Sequence, residues 1–259
     1  RGGSDTSAVA IAAALNASRC DIYTDVSGIF TADPRICKNA KKIPKVGYEE
    51  ILEMASLGSK VLQIRSVEMA YKHNVKVQVL SSFTNEEGSL LVNDEEIMEK
   101  RVITAVANTK DEARITIQNV QNKPGIIAGF LKPLADSNIN LDMIIQNVSF
   151  DGQHANITFT CNETDADRTL ALLSDYANKN ELKYKNISAN KDVAKISVIG
   201  MGMQEHSGVA QTMFQKLADN NINILAITTS EIKISVLIEQ EFMEFAVRLL
   251  HNEFELDKD

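Results

Sequence analysis

The sequence predicts an α/β segment followed by two α+β units of the ferredoxin-like kind. Helical and extended patterns alternate along residues 1–95, as they do in α/β layer structures. A polar and acidic stretch at residues 85–99 has the composition of a linker. A gap-free repeat follows at Gly125–Asn140 and Gly208–Asn223, which indicates two copies of one structural unit. We therefore expect three parts, at residues 1–95, 96–190 (with the linker) and 191–259.

The first part is expected to contain three helices and two strands. A helix over residues 4–17 follows Gly2-Gly3, and its Ser-Asp-Thr start favours N-capping. Further helices are predicted at residues 48–55 and 60–72, separated by Gly58. Short apolar strands are predicted at residues 20–24 and 76–80, with a turn directly after the first.

Each repeat copy shows the same order of predicted elements. The matching core is Leu-Ala-Asp-x-Asn-Ile-Asn, at Leu134–Asn140 and Leu217–Asn223, 83 residues apart. An alternating strand comes first, then a glycine that opens an amphipathic helix, two more strands and a second helix. This order is β-α-β-β-α with room for a last strand, which is the ferredoxin-like plan.

Composition disfavours several classes of function. The formal net charge is -8 and the basic residues are dispersed, which argues against a nucleic-acid partner. No apolar run approaches the ~20 residues of a membrane span, so no membrane partner is expected. The cysteines, at 20, 37 and 161, and the four histidines have neither metal-type nor disulfide spacing. We therefore predict no metal site within the protein and a reducing, cytoplasmic location.

Two segments have the residue types of a small-molecule site. In Arg1–Thr6 a Gly-Gly turn leads into a helix N-terminus, which presents N–H groups to an anion, although a plain capped helix has the same pattern. Thr24–Arg35 follows a strand, where open α/β sheets bind ligands, and it is not a P-loop. Lys60 lies at a predicted helix start; it either binds an anion or is a solvated lysine.

These segments, together with Glu53–Val61, resemble the aspartate kinases of the amino-acid-kinase family, and the repeat resembles their paired ACT domains. The resemblance implies a phosphoryl transfer from ATP, with Mg²⁺, to the β-carboxylate of aspartate. It implies that Arg1 and Ser4 bind aspartate and that Asp5 positions a catalytic lysine. It implies an ATP site lined by Thr24, Asp25, Phe30, Arg35, Lys60 and Val61. Phe30 stands where the family often has tyrosine.

One departure from the family concerns the catalytic lysine. The Lys-x-Gly-Gly-Thr segment that carries it does not occur in this sequence. We therefore expect a catalytic domain that is cut, a fragment inactive by itself, and a sheet with exposed apolar faces and open edges. If residues 1–95 are ordered, a partner or a swapped segment should cover them. No dehydrogenase domain is expected after the second repeat.

In the regulatory half the resemblance implies an amino acid effector, lysine and/or threonine, bound where ACT domains meet. Helix N-termini at the two glycines would offer N–H groups to its carboxylate, while Asp142 and Glu231 would meet its amino group or be solvated carboxylates. The implied effector residues are Asn122, Gly125, Ile127, Asp142, Gln146, Val209, Ala210, Asn223, Ile224 and Ser230. Asn122 and His206-Ser207-Gly208 replace residues common in the family, which leaves the effector's identity open.

The reading that follows is a feedback-regulated aspartate kinase of lysine, threonine and methionine biosynthesis, forming a homodimer or higher homo-oligomer through its ACT domains. One alternative is a non-catalytic regulatory subunit that binds an amino acid. That alternative gives no use to Arg1–Arg35. A sensing domain of a transcription factor is a third option, but the sequence shows no DNA-binding element.

Overall fold

The computed structural model describes residues 3–57, 61–97 and 101–258. Its kinase-like part contains helix α1 (Gly3–Ala14), strand β1 (Cys20–Thr24), strand β2 (Lys45–Gly47), helix α2 (Tyr48–Ser56), helix α3 (Ile64–His73), strand β3 (Val77–Ser81) and strand β4 (Ser89–Val92). The four strands form one sheet in the order β1-β3-β4-β2, in which β1 and β3 are parallel. The predicted helices and strands of this part are all present, with ends shifted by a few residues.

Strands β2 and β4 were missed by the sequence analysis. Residues 89–92 lie inside the stretch predicted as a linker, but Leu91 and Val92 are almost fully buried and pair with β3 and β2. The linker prediction is therefore wrong for this stretch. Its acidic flanks hide a short apolar strand, because composition averaged over the stretch is dominated by the flanks.

The regulatory part contains strand β5 (Ala105–Gln121), helix α4 (Ile126–Asp136), strand β6 (Leu141–Val148), strand β7 (His154–Asn162), helix α5 (Ala166–Lys179), strand β8 (Asn186–Ile199), helix α6 (Val209–Asp219), strand β9 (Ala226–Thr229), strand β10 (Lys233–Glu239) and helix α7 (Met243–Glu253). Its strands form a six-stranded sheet in the order β6-β7-β5-β8-β10-β9. Both repeat copies thus have the predicted β-α-β-β-α order, which confirms the fold class.

The repeat is also visible in the backbone. Gly125 and Gly208, which open the equivalent helices α4 and α6, have φ values of 90° and 100°. Asn138 and Asn221, at the ends of the same helices, have φ values of 55° and 56°. The left-handed conformation is accessible to glycine and asparagine, which explains why these residue types recur at these positions.

The two long strands β5 and β8 belong to both repeat units. Residues 105–109 of β5 pair with residues 195–199 of β8, and residues 114–118 pair with residues 186–190. The first unit therefore ends with the beginning of β8. The second unit begins with the end of β8, and its fourth strand is the beginning of β5, which precedes the first unit in the chain. Neither four-stranded unit is a continuous stretch of sequence.

The kinase-like part packs against the second unit. Its core, formed around Val9, Val46 and Ile51, also includes Ala105 and Ile199 of the regulatory strands. The regulatory strands of the same chain thus cover one side of residues 1–95, whereas the expected cover was a partner or a swapped segment. The opposite side is open, because β1 is an edge strand and large apolar side chains near it are exposed: Ile11 (60%), Leu15 (74%), Tyr23 (64%) and Phe83 (79%).

Polar contacts fix the same interface. Glu50 on α2 is 4% exposed, and its Oε1 accepts hydrogen bonds from Thr104 Oγ1 at 2.7 Å and Met201 N at 3.0 Å. Glu53, one turn further along α2, forms an ion pair with Lys233 at the start of β10, with 2.6 Å between Oε2 and Nζ. Helix α2 is therefore attached to one end of the second unit's sheet, where the start of β5, the end of β8 and the start of β10 lie side by side.

Candidate functional site

The predicted substrate residues lie at the start of α1 and just after β1. Ser4 Oγ donates to Asp5 Oδ1 at 3.2 Å, and Thr24 Oγ1 donates to Asp25 Oδ1 at 3.1 Å. Among the described residues, no hydrogen bond or ion pair joins these two pairs. The other predicted substrate residue, Arg1, lies outside the described residues. The roles of Ser4 and Asp5 therefore stay predictions.

Asp5 has an electrostatic effect on Cys20. Burial is the main reason that the pKa of the Cys20 thiol is raised, and the nearby carboxylates of Asp21 and Asp5 add to it. The thiol is therefore kept protonated and unreactive, which is typical of a structural cysteine.

The loop that follows β1 carries three predicted ATP residues. It is a two-armed structure, closed by an antiparallel bridge between Phe30 and Lys42. Arg35 lies at its tip with 88% of the side chain exposed, and Arg35 Nε is 3.2 Å from Asp33 Oδ1. The exposed guanidinium is held through Nε by Asp33, and its remaining donors are free to bind a phosphate.

Val61 is half-buried and packs against the core of the kinase-like part. Lys60 lies outside the described residues. Of the predicted ATP-site residues, Thr24 lies at the end of β1, and Asp25, Phe30 and Arg35 lie in the loop that follows. Carboxyl ends of strands are where open α/β sheets bind ligands.

The predicted effector residues of the first unit come together in part. Gln146 Nε2 on β6 donates to Asn122 Oδ1 at 3.4 Å, and Asn122 Nδ2 donates to the Gly152 carbonyl at 3.0 Å. Gly125 follows Asn122 in the same loop and begins α4. Asn122, Gly125 and Gln146 are all exposed, so this loop is open to a ligand.

Asp142 already has a cationic partner that the sequence analysis missed. Lys195 Nζ on β8 lies 2.7 Å from Asp142 Oδ2 and 2.6 Å from Glu112 Oε1 on β5, and Lys195 is 4% exposed. Burial alone would lower the pKa of Lys195, but Glu112 and Asp142 outweigh it and the pKa is raised. The same lysine outweighs burial at Asp142, whose pKa is lowered. An effector's ammonium group would compete with Lys195 for Asp142.

The predicted effector residues of the second unit are arranged differently. Val209 is 9% exposed and packs in the unit's core, where half-buried Ala210 and Ile224 adjoin it. Asn223 and Ser230 are exposed, and the backbone N–H of Ser230 donates to the Lys233 carbonyl at 2.8 Å. Glu231 Oε2 accepts a hydrogen bond from Gln204 Nε2 at 3.2 Å.

The two units meet at their second strands. Met143 of β6 is buried with Val193 and Leu237, and half-buried Leu225 and Ala226 at the start of β9 pack against this cluster. The predicted effector segments Asp142–Gln146 and Asn223–Ile224 flank this contact. The position agrees with a ligand bound between the units, which stays a prediction.

Two negative findings apply to the described residues. In the part of the chain that the structure covers, no helix is long and apolar enough to cross a membrane. Within the same residues, no group of three or more His, Cys, Asp or Glu side chains is arranged to hold a metal ion.

Comparison with family profiles divides the chain into the same parts. The amino acid kinase family matches residues 1–81, and the ACT domain matches residues 113–178 and, in a second form, residues 196–254. The relative named aspartate kinase from Pseudomonas putida is 47% identical over 258 residues, which cover 99% of this chain and 62% of the relative. The aspartokinase of Corynebacterium glutamicum is 46% identical and is covered to 61%. The chain thus spans about three fifths of these relatives' length.

Solved structures give the same result. Aspartate kinase from Clostridium acetobutylicum superposes with a TM-score of 0.85 at 25% identity, over 98% of this chain and 58% of the other. Escherichia coli aspartokinase III with aspartate and ADP gives 0.80 at 29% identity, over 98% and 56%. The regulatory subunit of aspartate kinase from Thermus thermophilus gives 0.55 at 34% identity, over 60% of this chain and 99% of that subunit.

Proposed function

The chain belongs to the aspartate kinase family, and we propose that it is the C-terminal part of an enzyme that transfers the γ-phosphoryl group of ATP to the β-carboxylate of L-aspartate. The observation that carries this proposal is similarity over 99% of the chain to proteins named aspartate kinase, through both the kinase-like part and the ACT units. The open side of the kinase-like sheet at β1 supports it, because an upstream segment of the same domain would cover Ile11, Leu15 and Tyr23.

In this reaction a carboxylate oxygen of aspartate attacks the γ-phosphorus, and the bond to the β,γ-bridging oxygen breaks to release ADP. The chain's own part is to bind and orient. Arg35 would pair with phosphate oxygens, and Thr24 and Asp25 would face the nucleotide at the end of β1. Asp5 would position a lysine from the upstream segment. Mg²⁺, held chiefly by the phosphates, would neutralise their charge, and the exposed Asp25 carboxylate is a suitable oxygen ligand.

A kinase assay tests this proposal. The protein extended by its upstream segment should form aspartyl hydroxamate when given ATP, aspartate and hydroxylamine, whereas the 259-residue chain alone should not. Arg35→Ala should raise the KM for ATP roughly ten- to a hundred-fold through loss of a charge-assisted contact. Arg168→Ala, an exposed arginine on α5, is the matched control. No turnover by the extended protein would refute the proposed activity.

We further propose feedback inhibition by lysine and/or threonine, bound where the loops of the two ACT units meet. The exposed Asn122–Gln146 pair and the helix start at Gly125 support this, and the E. coli enzyme has been solved with lysine and aspartate. Gln146→Ala and Ser230→Ala should raise the inhibitory lysine concentration about five- to a hundred-fold with little change in kcat. Asn147→Ala, on the other face of β6, is the control. Unchanged inhibition in both variants would remove these residues from the site.

Dimerisation through the ACT units is part of the same proposal. Strands β6 and β9 are the two edges of the regulatory sheet, and Ile144, Val148 and Ile227 on them are exposed. Light scattering on the 259-residue chain should give twice the monomer mass at micromolar concentration. A monomer would contradict it. We also propose a cytoplasmic enzyme, in keeping with its buried, unpaired cysteines Cys20, Cys37 and Cys161.

A non-catalytic regulatory subunit is the second candidate. The similarity to the Thermus regulatory subunit, over 99% of that subunit, favours it for the ACT part. The ordered kinase-like part favours the enzyme, since a regulatory subunit has no use for it. Activity of the extended protein decides between the two.

A further inference from the structure

The loop between β1 and β2 is built around Thr31. On the loop's other arm the Lys41 carbonyl accepts a hydrogen bond from Thr31 N at 2.9 Å, and Lys41 N in turn donates to Thr31 Oγ1 at 2.9 Å. The Thr31 carbonyl accepts from Val106 N of β5 at 2.8 Å. Thr31 is 2% exposed and is the direct neighbour of Phe30. One buried residue thus joins both arms of the loop to the regulatory sheet.

Helix α7 of the second ACT unit contributes the remaining partner. His251 Nε2 lies 2.9 Å from Thr31 Oγ1, and His251 is 2% exposed. Burial lowers the pKa of His251, with Asp257 opposing in part, so the ring is neutral near pH 7. Because Thr31 Oγ1 accepts from Lys41 N, its own proton is free to be donated to an unprotonated Nε2. The neutral histidine therefore holds the loop through this hydrogen bond, as acceptor or donor according to its tautomer.

Apolar packing fixes the loop on the same helix. Ala32 and Cys37 are 4% and 5% exposed, and they belong to the core of the second unit together with Leu250 of α7. Arg248 Nη1 of α7 donates to the Ile36 carbonyl at 3.4 Å. A cavity of about 400 Å³ separates the loop tip from the helix, with Arg35 in its lining. The stem of the loop is thus embedded in a regulatory unit while its tip stays free.

We propose that His251 is a positioning residue for nucleotide binding: through Thr31 it holds the loop that presents Phe30 and Arg35, so the second ACT unit controls ATP affinity through α7. This inference rests on the proposed function. The hydrogen bond spans 220 residues of sequence and connects the two parts directly. A displacement of α7 would move Thr31, and Phe30 with it, without passing through the first unit.

The experiment compares variants that remove the contact with variants that keep it. In the extended kinase, Thr31→Val and His251→Leu should raise the KM for ATP roughly five- to ten-fold, and leave the KM for aspartate within about two-fold. Thr31→Ser keeps the hydroxyl, and His251→Gln places an amide near the Nε2 position, so both should retain most of the affinity for ATP. Glu253→Gln breaks the α7 ion pair with Lys216 on α6 and leaves the loop untouched, which makes it the control.

A second measurement does not depend on catalysis. In the 259-residue chain, amide hydrogen exchange over residues 29–43 should be faster in Thr31→Val and His251→Leu, but unchanged in α4 and α5. If the extended protein shows no kinase activity, the proposed function fails while exchange still decides whether His251 holds the loop. Unchanged exchange in the loop, equal rises in both KM values, or the same effects in Glu253→Gln would overturn the inference.

Discussion

The two ACT units have the same fold but different neighbours. The core of the first unit, around Phe130, Leu134 and Phe159, consists of its own elements and the shared strands. The core of the second unit also takes in Ala32 and Cys37 of the kinase-like part. The first unit therefore projects its loops into solvent, whereas the second unit is built into the domain that precedes it.

The loop before the first helix shows what the difference means. In the first unit this loop carries Asn122 and Gly125, both exposed. In the second unit the corresponding loop begins with a short 3₁₀ helix, Met201–Glu205, and Met201 N donates to buried Glu50. His206 Nδ1 is 2.8 Å from the Gly202 carbonyl of the same loop. The loop before the first helix is thus open to a ligand in the first unit. In the second unit the same loop attaches the unit to helix α2 of the kinase-like part.

The sharpest test of this comparison is Lys195, which lies between the units. Lys195→Met should lower the free energy of unfolding by about 3–5 kcal/mol, because Glu112 would be left buried without its cation. Lys195→Met with Glu112→Gln should recover most of that loss, since the uncompensated charge is gone. Denaturant unfolding measures both. Lys132→Met removes an exposed i,i+4 ion pair and is expected to cost less than about 1 kcal/mol. Equal losses in Lys195→Met and Lys132→Met would show that the buried cluster is unimportant.

Two equivalent leucines compare the units directly. Leu134 on α4 and Leu217 on α6 are both fully buried, and changing either to alanine should cost roughly 2–5 kcal/mol. We expect Leu217→Ala to accelerate amide exchange in residues 29–43 as well, because that loop shares the second unit's core. Leu134→Ala should accelerate exchange in the first unit alone. Exchange patterns that are the same in both variants would contradict the assignment of separate roles.

The smallest expected effect is the pH dependence contributed by His251. Its pKa is lowered in the folded state, so its contribution to stability is complete above the ordinary pKa of about 6.5 and is lost as pH falls toward the folded pKa. The charged groups that line the cavity beside it are Arg35, Lys38, Arg248 and Asp257. Between pH 7.5 and 5.5 the melting temperature of His251→Gln should fall by roughly 1–4 °C less than that of the wild type. An identical fall in both proteins would show that folding does not lower the pKa of His251.

Much of the fold was predictable because the signals are local or repeated. The 83-residue repeat gave both ACT units, and alternation gave strands such as β1 and β3. The sharing of β5 and β8 was not predictable in this way. The alternation of apolar and polar residues along a strand does not show which strand it pairs with. The prediction of a possible last strand for the second unit was correct in kind, but that strand lies upstream, at residues 105–109.

Site residues that are close in sequence were predicted, whereas contacts between residues far apart in sequence were missed. The motif residues Thr24, Asp25 and Arg35 lie on one strand end and its loop because they are near in sequence. Thr31 and His251 were missed, since 220 residues separate them. A signal did exist for the Lys195 cluster: Glu112 and Lys195 occupy equivalent places in the two copies, 83 residues apart, and carry opposite charges. The shared strands β5 and β8 bring these two positions into contact.

The shared strands also determine the order in which the chain can fold during synthesis. The first unit has all its strands once residue 190 has left the ribosome. Residues 105–109 must wait for residues 195–199, and the kinase-like core, which includes Ala105 and Ile199, waits with them. The kinase-like core is therefore completed by a strand that is synthesised more than 90 residues after Ala105. Closing such a long loop is slow, and the apolar surface of the kinase-like part stays exposed until Ile199 has been added.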